Sequence, residues 1–233
     1  MRLFSLGLAL GLASAHDPIT YGSAVKLLSS ASVDDKRFFL SSLGVQWNGR
    51  PEGVNVVTTM LDEAKPEVYW TITSASDEKG KPSGLPVKCG STVRLLHAMT
   101  RKYLHANRQF SAKLSGKMEA VTAGSPGSKE KADDFVLECN EVTWEMHSQI
   151  RLKHVATGEY LASFSSLQFH PHNCPGCPMI GHREAIVSSA SGSESYWSVE
   201  GGIILNELIA VAETRESVDD EDLLTSGSAR DEL

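Results

Sequence analysis

The 233-residue sequence is poor in aromatic residues, which make up 7% of it, and beyond residue 15 it contains no long apolar run. A transmembrane helix needs about 20 consecutive apolar residues, so we expect no membrane span in the mature chain. Basic residues are not in excess either, because 22 lysines and arginines face 29 acids and the formal net charge is −7. Nucleic-acid-binding proteins usually carry a basic patch, so we expect no nucleic-acid partner.

Several chemical motifs are also missing from the sequence. It has no glycine-rich phosphate-binding loop, no Asn-x-Ser/Thr glycosylation site and no convincing pairing of a nucleophile with a base. Phosphate-binding loops and nucleophile–base pairs are the usual sequence marks of nucleotide-dependent and covalent catalysis. We therefore expect a protein that is not an enzyme and that carries no cofactor.

What the sequence does contain is one pattern written three times. Each copy opens on Ser-x-Val/Ile-Lys/Arg-Leu, passes through a second apolar run, and reaches a third run after Gly-x-x-Glu. It closes on an aromatic residue with an aliphatic residue two positions later. Parts that recur in a constant order predict copies of one structural unit. The openings are residues 23–27, 91–95 and 148–152; the Gly-x-x-Glu segments are 49–52, 116–119 and 181–184; the closing pairs are Trp70/Ile72, Phe135/Leu137 and Trp197/Val199.

The apolar runs within each copy are typical of β-strands. They are short, rich in β-branched and aromatic residues, and alternate at period two between turn residues. Four strands in each of three copies predict an all-β fold, a β-trefoil, in which three units close their sheet edges on each other. A β-sandwich would explain the strands but not the threefold order. We place repeat 1 at residues 17–75, repeat 2 at 84–140 and repeat 3 at 141–202, within one domain.

Residues 1–15 have the three parts of a secretory signal peptide. Arg2 supplies the positive charge, residues 3–12 the apolar stretch, and Ala13-Ser14-Ala15 the small-residue cleavage site. The apolar stretch is too short for a membrane anchor. The sequence therefore predicts that the mature chain enters the secretory pathway.

Residues 203–233 are predicted to form an acidic tail. The tail begins with a brief apolar run, residues 203–211, which is suited to sealing the barrel or to forming a short helix. In residues 212–233 eight acids face two arginines, a net charge of −6, so the rest of the chain is near neutral. Such charge blocks are usually solvated and disordered.

The final four residues, Arg230-Asp231-Glu232-Leu233, differ from Lys-Asp-Glu-Leu at one position. A KDEL-type receptor reads that carboxyl-terminal sequence and returns its bearer to the endoplasmic reticulum. Together with the signal peptide, this ending predicts residence in the endoplasmic reticulum lumen.

Residues 96–105 carry the pattern His-x-x-Thr-x-x-x-Leu-His, in which His97, Thr100 and His105 are the defining polar residues. A weaker copy keeps His154 and Thr157 but ends on alanine. The pattern resembles the MIR motif, whose domains are β-trefoils in protein O-mannosyltransferases, inositol trisphosphate receptors and ryanodine receptors. With its two targeting signals, the chain is similar over about residues 19–202 to the stromal cell-derived factor 2 family.

This resemblance implies a non-enzymatic partner of the lumenal folding machinery. It would act in quality control with a J-domain co-chaperone of the endoplasmic reticulum and with the BiP-type chaperone that the co-chaperone serves. Its clients would be misfolded or O-mannosylated proteins. A second interpretation stays open, a lumenal lectin-like module. A sugar site needs an exposed aromatic residue beside polar groups, and Trp47 and Trp144 lie outside the repeated core positions.

His97, Thr100 and His105 are the candidate contacts for a ligand or partner. Features that all three copies share, such as the glutamates Glu52, Glu119 and Glu184, are predicted to be scaffold, and function is expected where the copies differ. His97 and His105 occur together only in the second copy. The alternative is that they orient a hairpin and bond to backbone groups, as polar residues at strand ends commonly do.

In an oxidising compartment the four cysteines are expected to pair. Cys89 precedes the first strand of repeat 2, and Cys139 ends its fourth strand. The first and fourth strands of a trefoil unit lie side by side, so we expect these two cysteines to form a disulfide. Two buried free thiols are the alternative.

Cys174 and Cys177 form a Cys-x-x-Cys motif in a loop of repeat 3, near His170, His172 and His182. The motif allows an inert tight disulfide, half of a metal site completed by two of the histidines, or a redox dithiol. Redox activity usually needs a helix amino terminus, and the prolines and glycines here predict none. We favour the inert disulfide and expect no metal.

Overall fold

The computed structural model describes residues 17–31 and 35–205. The predicted signal peptide at residues 1–15, residues 206–233 of the predicted acidic tail and the terminal Arg230-Asp231-Glu232-Leu233 lie outside the described residues. In the described part of the chain, the regular structure consists of twelve β-strands and three one-turn 3-10 helices. Among the same residues, no helix is long and apolar enough to cross a membrane. The predicted all-β fold is confirmed.

Four strands fall in each of the three segments that the sequence sets apart, and the fourth always follows a 3-10 turn. The turns are Pro66–Val68, Lys131–Asp133 and Ser193–Ser195. The strands of the first segment are β1 (Ala24–Ser29), β2 (Phe39–Ser42), β3 (Asn55–Met60) and β4 (Tyr69–Ser74). Those of the second are β5 (Thr92–His97), β6 (Tyr103–Ser111), β7 (Met118–Ala123) and β8 (Phe135–Glu138). Those of the third are β9 (Arg151–His154), β10 (Tyr160–Gln168), β11 (Arg183–Ser188) and β12 (Trp197–Ile203).

The first and fourth strands of the three segments form a closed ring. β1 pairs with β4, β4 with β5, β5 with β8, β8 with β9, and β12 with β1, all antiparallel. The ring closes where Ile150, just before β9, exchanges two backbone hydrogen bonds of 2.8 and 2.9 Å with Trp197. Within the described residues, each strand of this closed ring has a partner on both sides, so its edges are not open to pairing with another chain.

The second and third strands form three hairpins at one end of the ring. The hairpins are β2–β3, β6–β7 and β10–β11. Their inner strands pair with one another in a triangle, because β3 pairs with β7, β7 with β11, and β11 with β3. The loop of each hairpin therefore meets the strands of a neighbouring hairpin.

Successive segments are joined by one recurring backbone contact. The amide of Ala98 donates to the carbonyl of Tyr69, the amide of Val155 to that of Asp134, and the amide of Ser30 to that of Tyr196. These three bonds define equivalent positions at three junctions. We call them the first junction (Tyr69 with Ala98), the second junction (Asp134 with Val155) and the third junction (Tyr196 with Ser30).

The core lies inside the ring and under the hairpins. Trp70 and Trp197 are fully buried, and their indole N–H groups donate to the carbonyls of Leu40 and Leu161 at 2.9 and 3.0 Å. Both carbonyls belong to the second strand of the same segment, so these indoles tie each hairpin to its ring strands. The indole N–H groups of these two tryptophans keep a partner, as is usual for buried tryptophans.

Trp144, which the sequence left as a candidate for exposure, is fully buried in the same core. Its segment crosses the end of the ring opposite the hairpins. There its amide donates to the carbonyl of Val87 at 2.8 Å, and its carbonyl accepts from the amide of Ile19 at 2.7 Å. The prediction of an exposed Trp144 is therefore wrong, because this segment closes the barrel.

Candidate functional site

His97 is fully buried and is used inside the fold. Its Nδ1 lies 2.9 Å from the hydroxyl of Thr100 and accepts from the Thr100 amide at 3.2 Å, and its Nε2 lies 2.9 Å from the carbonyl oxygen of Glu67. Because that carbonyl can only accept, the proton of the neutral ring lies on Nε2. The ring also packs on Trp70, with 4.8 Å between centroids.

His154 repeats this arrangement at the second junction. Its Nδ1 lies 3.0 Å from the hydroxyl of Thr157, its Nε2 lies 3.1 Å from the carbonyl oxygen of Ala132, and its ring packs on Phe135. In both cases the histidine of one segment binds the 3-10 turn and the closing aromatic of the segment before it. The His-x-x-Thr motif is therefore a latch between consecutive segments.

His105 is also buried, at 4% exposure, and its Nδ1 lies 2.8 Å from the carboxylate of Asp133, which is itself fully buried. Asp133 accepts a second bond from the hydroxyl of Ser128. This pair fastens the second hairpin to its 3-10 turn. The prediction that His97 and His105 contact a ligand or partner is corrected accordingly, since neither ring reaches the surface and their bonds hold the hairpin in place.

The predicted equivalence of Glu52 with Glu119 and Glu184 is also wrong. In the triangle of inner strands, Glu119 pairs with Ile186, Glu184 pairs with Thr58, and Val56 pairs with Val121. Val56 therefore takes the position that the two glutamates take in the other segments. Glu52 is exposed in the loop before β3.

The two buried glutamates anchor hairpin loops of neighbouring segments. The carboxylate of Glu119 accepts from the Trp47 indole N–H at 2.7 Å and from Arg50 at 2.6 Å. That of Glu184 accepts from the amides of Leu114 and Ser115 at 2.7 and 3.1 Å. The pKa of Glu119 is raised above its ordinary value, mainly because the carboxyl is buried. The bonds from Trp47 and Arg50 act in the opposite direction and lower the pKa, whereas the nearby charge of Glu184 raises it.

At the third position, Val56 replaces a charged anchor with apolar packing. It contacts a cluster that includes Phe169, Cys174 and Met179 from the loop between β10 and β11. The three hairpin loops are thus held by two carboxylates and one valine. This difference between the copies lies inside the fold and sets how each loop is fixed.

Disulfides join Cys89 to Cys139 and Cys174 to Cys177. The first spans a sequence separation of 50 residues and connects the approach to β5 with the end of β8, which are neighbours in the ring. The second closes a loop of sequence separation 3 whose Cys174 is fully buried.

The histidines near the Cys174–Cys177 loop do not converge on its sulfur atoms. His170 and His172 are exposed with ring centroids 6.0 Å apart, and Nδ1 of His182 lies 2.9 Å from the hydroxyl of Thr58. Sulfur atoms bonded to each other are not the thiolates that bind zinc. No cluster of three or more metal-ligating side chains occurs in the described residues.

An apolar groove lies on the outer surface at the first junction. We call it the junction groove; it has a cavity volume of about 420 Å³. Met99 and Ile203 are 45% and 65% exposed, although both are large and apolar. Exposed apolar residues that cluster around a concavity commonly mark an interaction surface. The lining residues are Ala24, Ala64, Pro66, Tyr69, Ala98, Met99 and Ile203.

The equivalent surfaces at the other junctions are more polar. The second junction replaces Pro66 and Tyr69 with Lys131 and Asp134, and Asp134 accepts two bonds from Ser76. The third junction replaces Pro66 with Ser193. The fold therefore does not require an apolar surface here, and the first junction differs from the other two at its surface.

One cation borders the junction groove. The ammonium of Lys26 lies 5.9 Å from the ring centroid of Tyr69, a lining residue. Lys26 forms no salt bridge within the described residues, whereas Lys65 pairs with Asp62 at 3.7 Å. Glu63 and Glu67 are next in sequence to the lining residues Ala64 and Pro66.

A second concavity, the tryptophan cleft, lies at the hairpin end and has a volume of about 460 Å³. Trp47 is partly exposed there, with the ammonium of Lys113 at 4.6 Å from its ring centroid. The bond from its indole to Glu119 fixes the ring. An oriented aromatic ring beside polar groups is the arrangement that we expect of a sugar site. The lining residues are Trp47, Asn48, Gly49, Arg50, Ser111 and Lys113.

A protein of Homo sapiens, stromal cell-derived factor 2, is 31% identical to this chain over 193 residues, which cover 83% of the chain and 85% of that protein. The chain belongs to the stromal cell-derived factor 2 family. No protein-family model matches the chain.

Solved structures agree with this family membership. The crystal structure of the SDF2-like protein from Arabidopsis thaliana is 27% identical, has a TM-score of 0.70, and covers 82% of this chain and 98% of that one. The protein O-mannosyltransferase complex of S. cerevisiae is 18% identical with a TM-score of 0.64, over 88% of this chain and 28% of that chain. At 18% identity the second likeness concerns the fold alone.

Proposed function

We propose that this member of the stromal cell-derived factor 2 family is a non-enzymatic binding module of the endoplasmic reticulum lumen. It holds a J-domain co-chaperone that serves a BiP-type chaperone, in the quality control of misfolded or O-mannosylated clients. The observation that carries the proposal is the junction groove, an exposed apolar surface that the fold itself does not require. Exposed apolar concavities suit a polypeptide partner.

The same proposal assigns the fold as a β-trefoil of three MIR repeats. A six-stranded ring capped by three hairpins is the arrangement that the name describes, and the likeness to the O-mannosyltransferase complex supports it. The His-x-x-Thr latches at His97 and His154 give the repeated motif a structural role. Because this motif has a structural role, we assign partner recognition to the junction groove, where the first junction differs from the other two.

Co-purification tests the partner. The tagged full chain is recovered from lumenal extracts as wild type, as Met99→Glu, and as Val142→Glu, a matched control at a residue that is 83% exposed. Because a charge in an apolar contact is costly to desolvate, Met99→Glu should lower recovery of the J-domain co-chaperone strongly while Val142→Glu should not. Recovery should survive glycosidase treatment. Equal recovery with Met99→Glu would contradict the assignment.

Location is tested through the chain terminus. Deleting Asp231, Glu232 and Leu233 removes three of the four residues that a KDEL-type receptor reads, so the protein should appear in the medium. The folded body should be unaffected, which circular dichroism of the secreted form would check. Full cellular retention of the folded, shortened protein would overturn the proposed residence.

The tryptophan cleft supports a second candidate, a lectin-like module for O-mannosylated or misfolded glycoproteins. Its rigid Trp47 offers an apolar ring face, and Asn48 and Lys113 offer polar groups at the rim. A glycan array separates the two functions. Sugar binding that is lost with Trp47→Ala and kept with Met99→Glu would favour the lectin, as would competition of the protein partner by a free mannoside.

A further inference from the structure

The described part of the chain passes the junction groove at Ile203 and ends two residues later, at Leu205. Ile203 in β12 lines the groove and pairs with Ala24, which lines it too. Leu205 is held in place, because its amide donates to the hydroxyl of Ser23 at 3.0 Å and its carbonyl accepts from the hydroxyl of Thr20 at 2.5 Å. Residues 206–233 therefore start from a fixed point two residues beyond the groove residue Ile203.

The sequence that follows has two features in a fixed order. Leu208-Ile209-Ala210-Val211 is an aliphatic run, and residues 212–233 carry eight acids and two arginines. Leu208 lies three residues beyond Leu205, and an extended chain spans about 3.4 Å per residue, or about 10 Å in all. The aliphatic run is thus within reach of the groove.

The junction groove is complementary to this segment in polarity and charge. Its floor is apolar, with Met99 and Ile203 exposed, and Lys26 beside Tyr69 has no acidic partner in the described residues. Covering two aliphatic side chains stabilises by about 1.5–3 kcal/mol each when burial is complete. Acids next to the run can pair with Lys26, although exposed pairs contribute little.

We propose that the chain's own residues 208–211 occupy the junction groove, with the acids that follow placed against Lys26. The groove is then an interaction surface for an apolar segment with acidic residues on its carboxyl-terminal side. The second junction, with Lys131 and Asp134 at the equivalent positions, offers no such floor. A co-chaperone that uses the groove, as proposed above, must displace this segment.

This placement is compatible with the proposed retention signal. The proposal involves the aliphatic run and the acids directly after it, and it assigns no contact to residues 230–233. The tetrapeptide at residues 230–233 therefore stays available to a receptor. In this proposal the groove and the terminal tetrapeptide bind different partners, the co-chaperone and the KDEL-type receptor.

Photo-crosslinking in the full chain tests the proposal. A benzophenone amino acid at position 64 lines the groove without replacing Met99, and the same group at position 142 is the control. After irradiation, mass spectrometry should find position 64 linked to the peptide that contains residues 208–211. The product should have monomer mass, and its yield should not depend on protein concentration. Position 142 should give no such link.

Two variants define the contact. Ile209→Asp or Met99→Glu should lower the crosslink yield about tenfold, since a tenfold change needs only about 1.4 kcal/mol. A missing link at position 64, a yield that neither variant changes, or a product of dimer mass would overturn the proposal. The co-purification result is independent: a partner that responds to Met99→Glu without any crosslink leaves the proposed function standing and removes this inference alone.

Discussion

The indole N–H of Trp47 donates a 2.7 Å hydrogen bond to the carboxylate of Glu119, a residue that is 2% exposed and belongs to the next segment of the chain. Arg50, three residues after Trp47, binds the other oxygen of the same carboxylate at 2.6 Å. A single buried charge therefore fixes the loop between β2 and β3 and sets the wall of the tryptophan cleft. This relationship makes the loop dependent on the neighbouring hairpin.

Replacing Glu119 with alanine should destabilise the protein by about 3 kcal/mol, because breaking a buried ion pair leaves the partner charge uncompensated. The variant should also shift tryptophan emission to longer wavelength. Trp70, Trp144 and Trp197 are fully buried in the core, so the shift would report Trp47. Urea unfolding and emission spectra measure the two effects.

Glu184→Ala is the matched control for that experiment. Glu184 is equally buried and anchors the next loop through the amides of Leu114 and Ser115, with no bond to a tryptophan. It should lower stability and leave the emission maximum unchanged. An emission shift of the same size in both variants would show that Glu119 does not position Trp47 specifically.

Three histidines should make stability fall on acidification. Burial lowers the pKa of His97, His154 and His182 below their ordinary value. The unfolded chain then binds more protons than the folded one once the pH drops below about 6.5, so this stability is present above that pH and is lost as the pH falls through the folded pKa values. Glu119 acts with the opposite sign, because its folded pKa is raised: its contribution is present at low pH and is lost as the pH rises.

Urea unfolding from pH 7.5 to 5.5 measures this slope, to which each histidine contributes at most about 1.4 kcal/mol per pH unit. His154→Gln should reduce the slope because it removes one titrating group. His172→Gln is the control, since His172 is exposed and outside the latches. A slope that His154→Gln leaves unchanged would refute the assignment of a buried, neutral His154.

The strands and their threefold order could be predicted from the sequence, because period-two alternation and the repeated order of motifs can both be read along the chain. The structural equivalence of Val56 with Glu119 and Glu184 could not be predicted from the sequence. Gly-x-x-Glu precedes the third apolar run of every copy, but Glu119 and Glu184 lie inside β7 and β11, whereas Glu52 lies before β3. The equivalence of Val56 with Glu119 and Glu184 is fixed by pairing between hairpins. Spacing along one strand does not reveal that register.

The candidate site escaped prediction for a related reason. The junction groove combines Ala24, Pro66, Met99 and Ile203, which lie far apart in the sequence, and none of them belongs to a motif. A signal was nevertheless present between the marked residues of His-x-x-Thr, where Ala98-Met99 corresponds to Val155-Ala156. The histidines that drew attention are buried latches, whereas the unmarked residue Met99 is exposed.

The two disulfides should differ in what they contribute to stability. Cys89–Cys139 closes a loop of sequence separation 50, whereas Cys174–Cys177 closes one of sequence separation 3. On the chain-entropy model, the cost that cross-linking imposes on the unfolded chain rises with loop length, to about 4 kcal/mol for the first and about 2 kcal/mol for the second. The Cys89–Cys139 disulfide also links the approach to β5 with the end of β8, so removing this disulfide affects the ring itself.

Paired substitutions measure this difference. Cys89→Ala with Cys139→Ala should lower the free energy of unfolding by roughly twice as much as Cys174→Ala with Cys177→Ala. The second pair should loosen the loop around Phe169 and Met179 while leaving the ring folded. Peptide mapping without reductant should recover Cys89 and Cys139 in one linked fragment. Alkylation of both Cys89 and Cys139 in protein never exposed to reductant would contradict the disulfide between them. A larger loss of stability from the second pair would contradict the loop-length argument, because a short loop constrains the unfolded chain less than a long one.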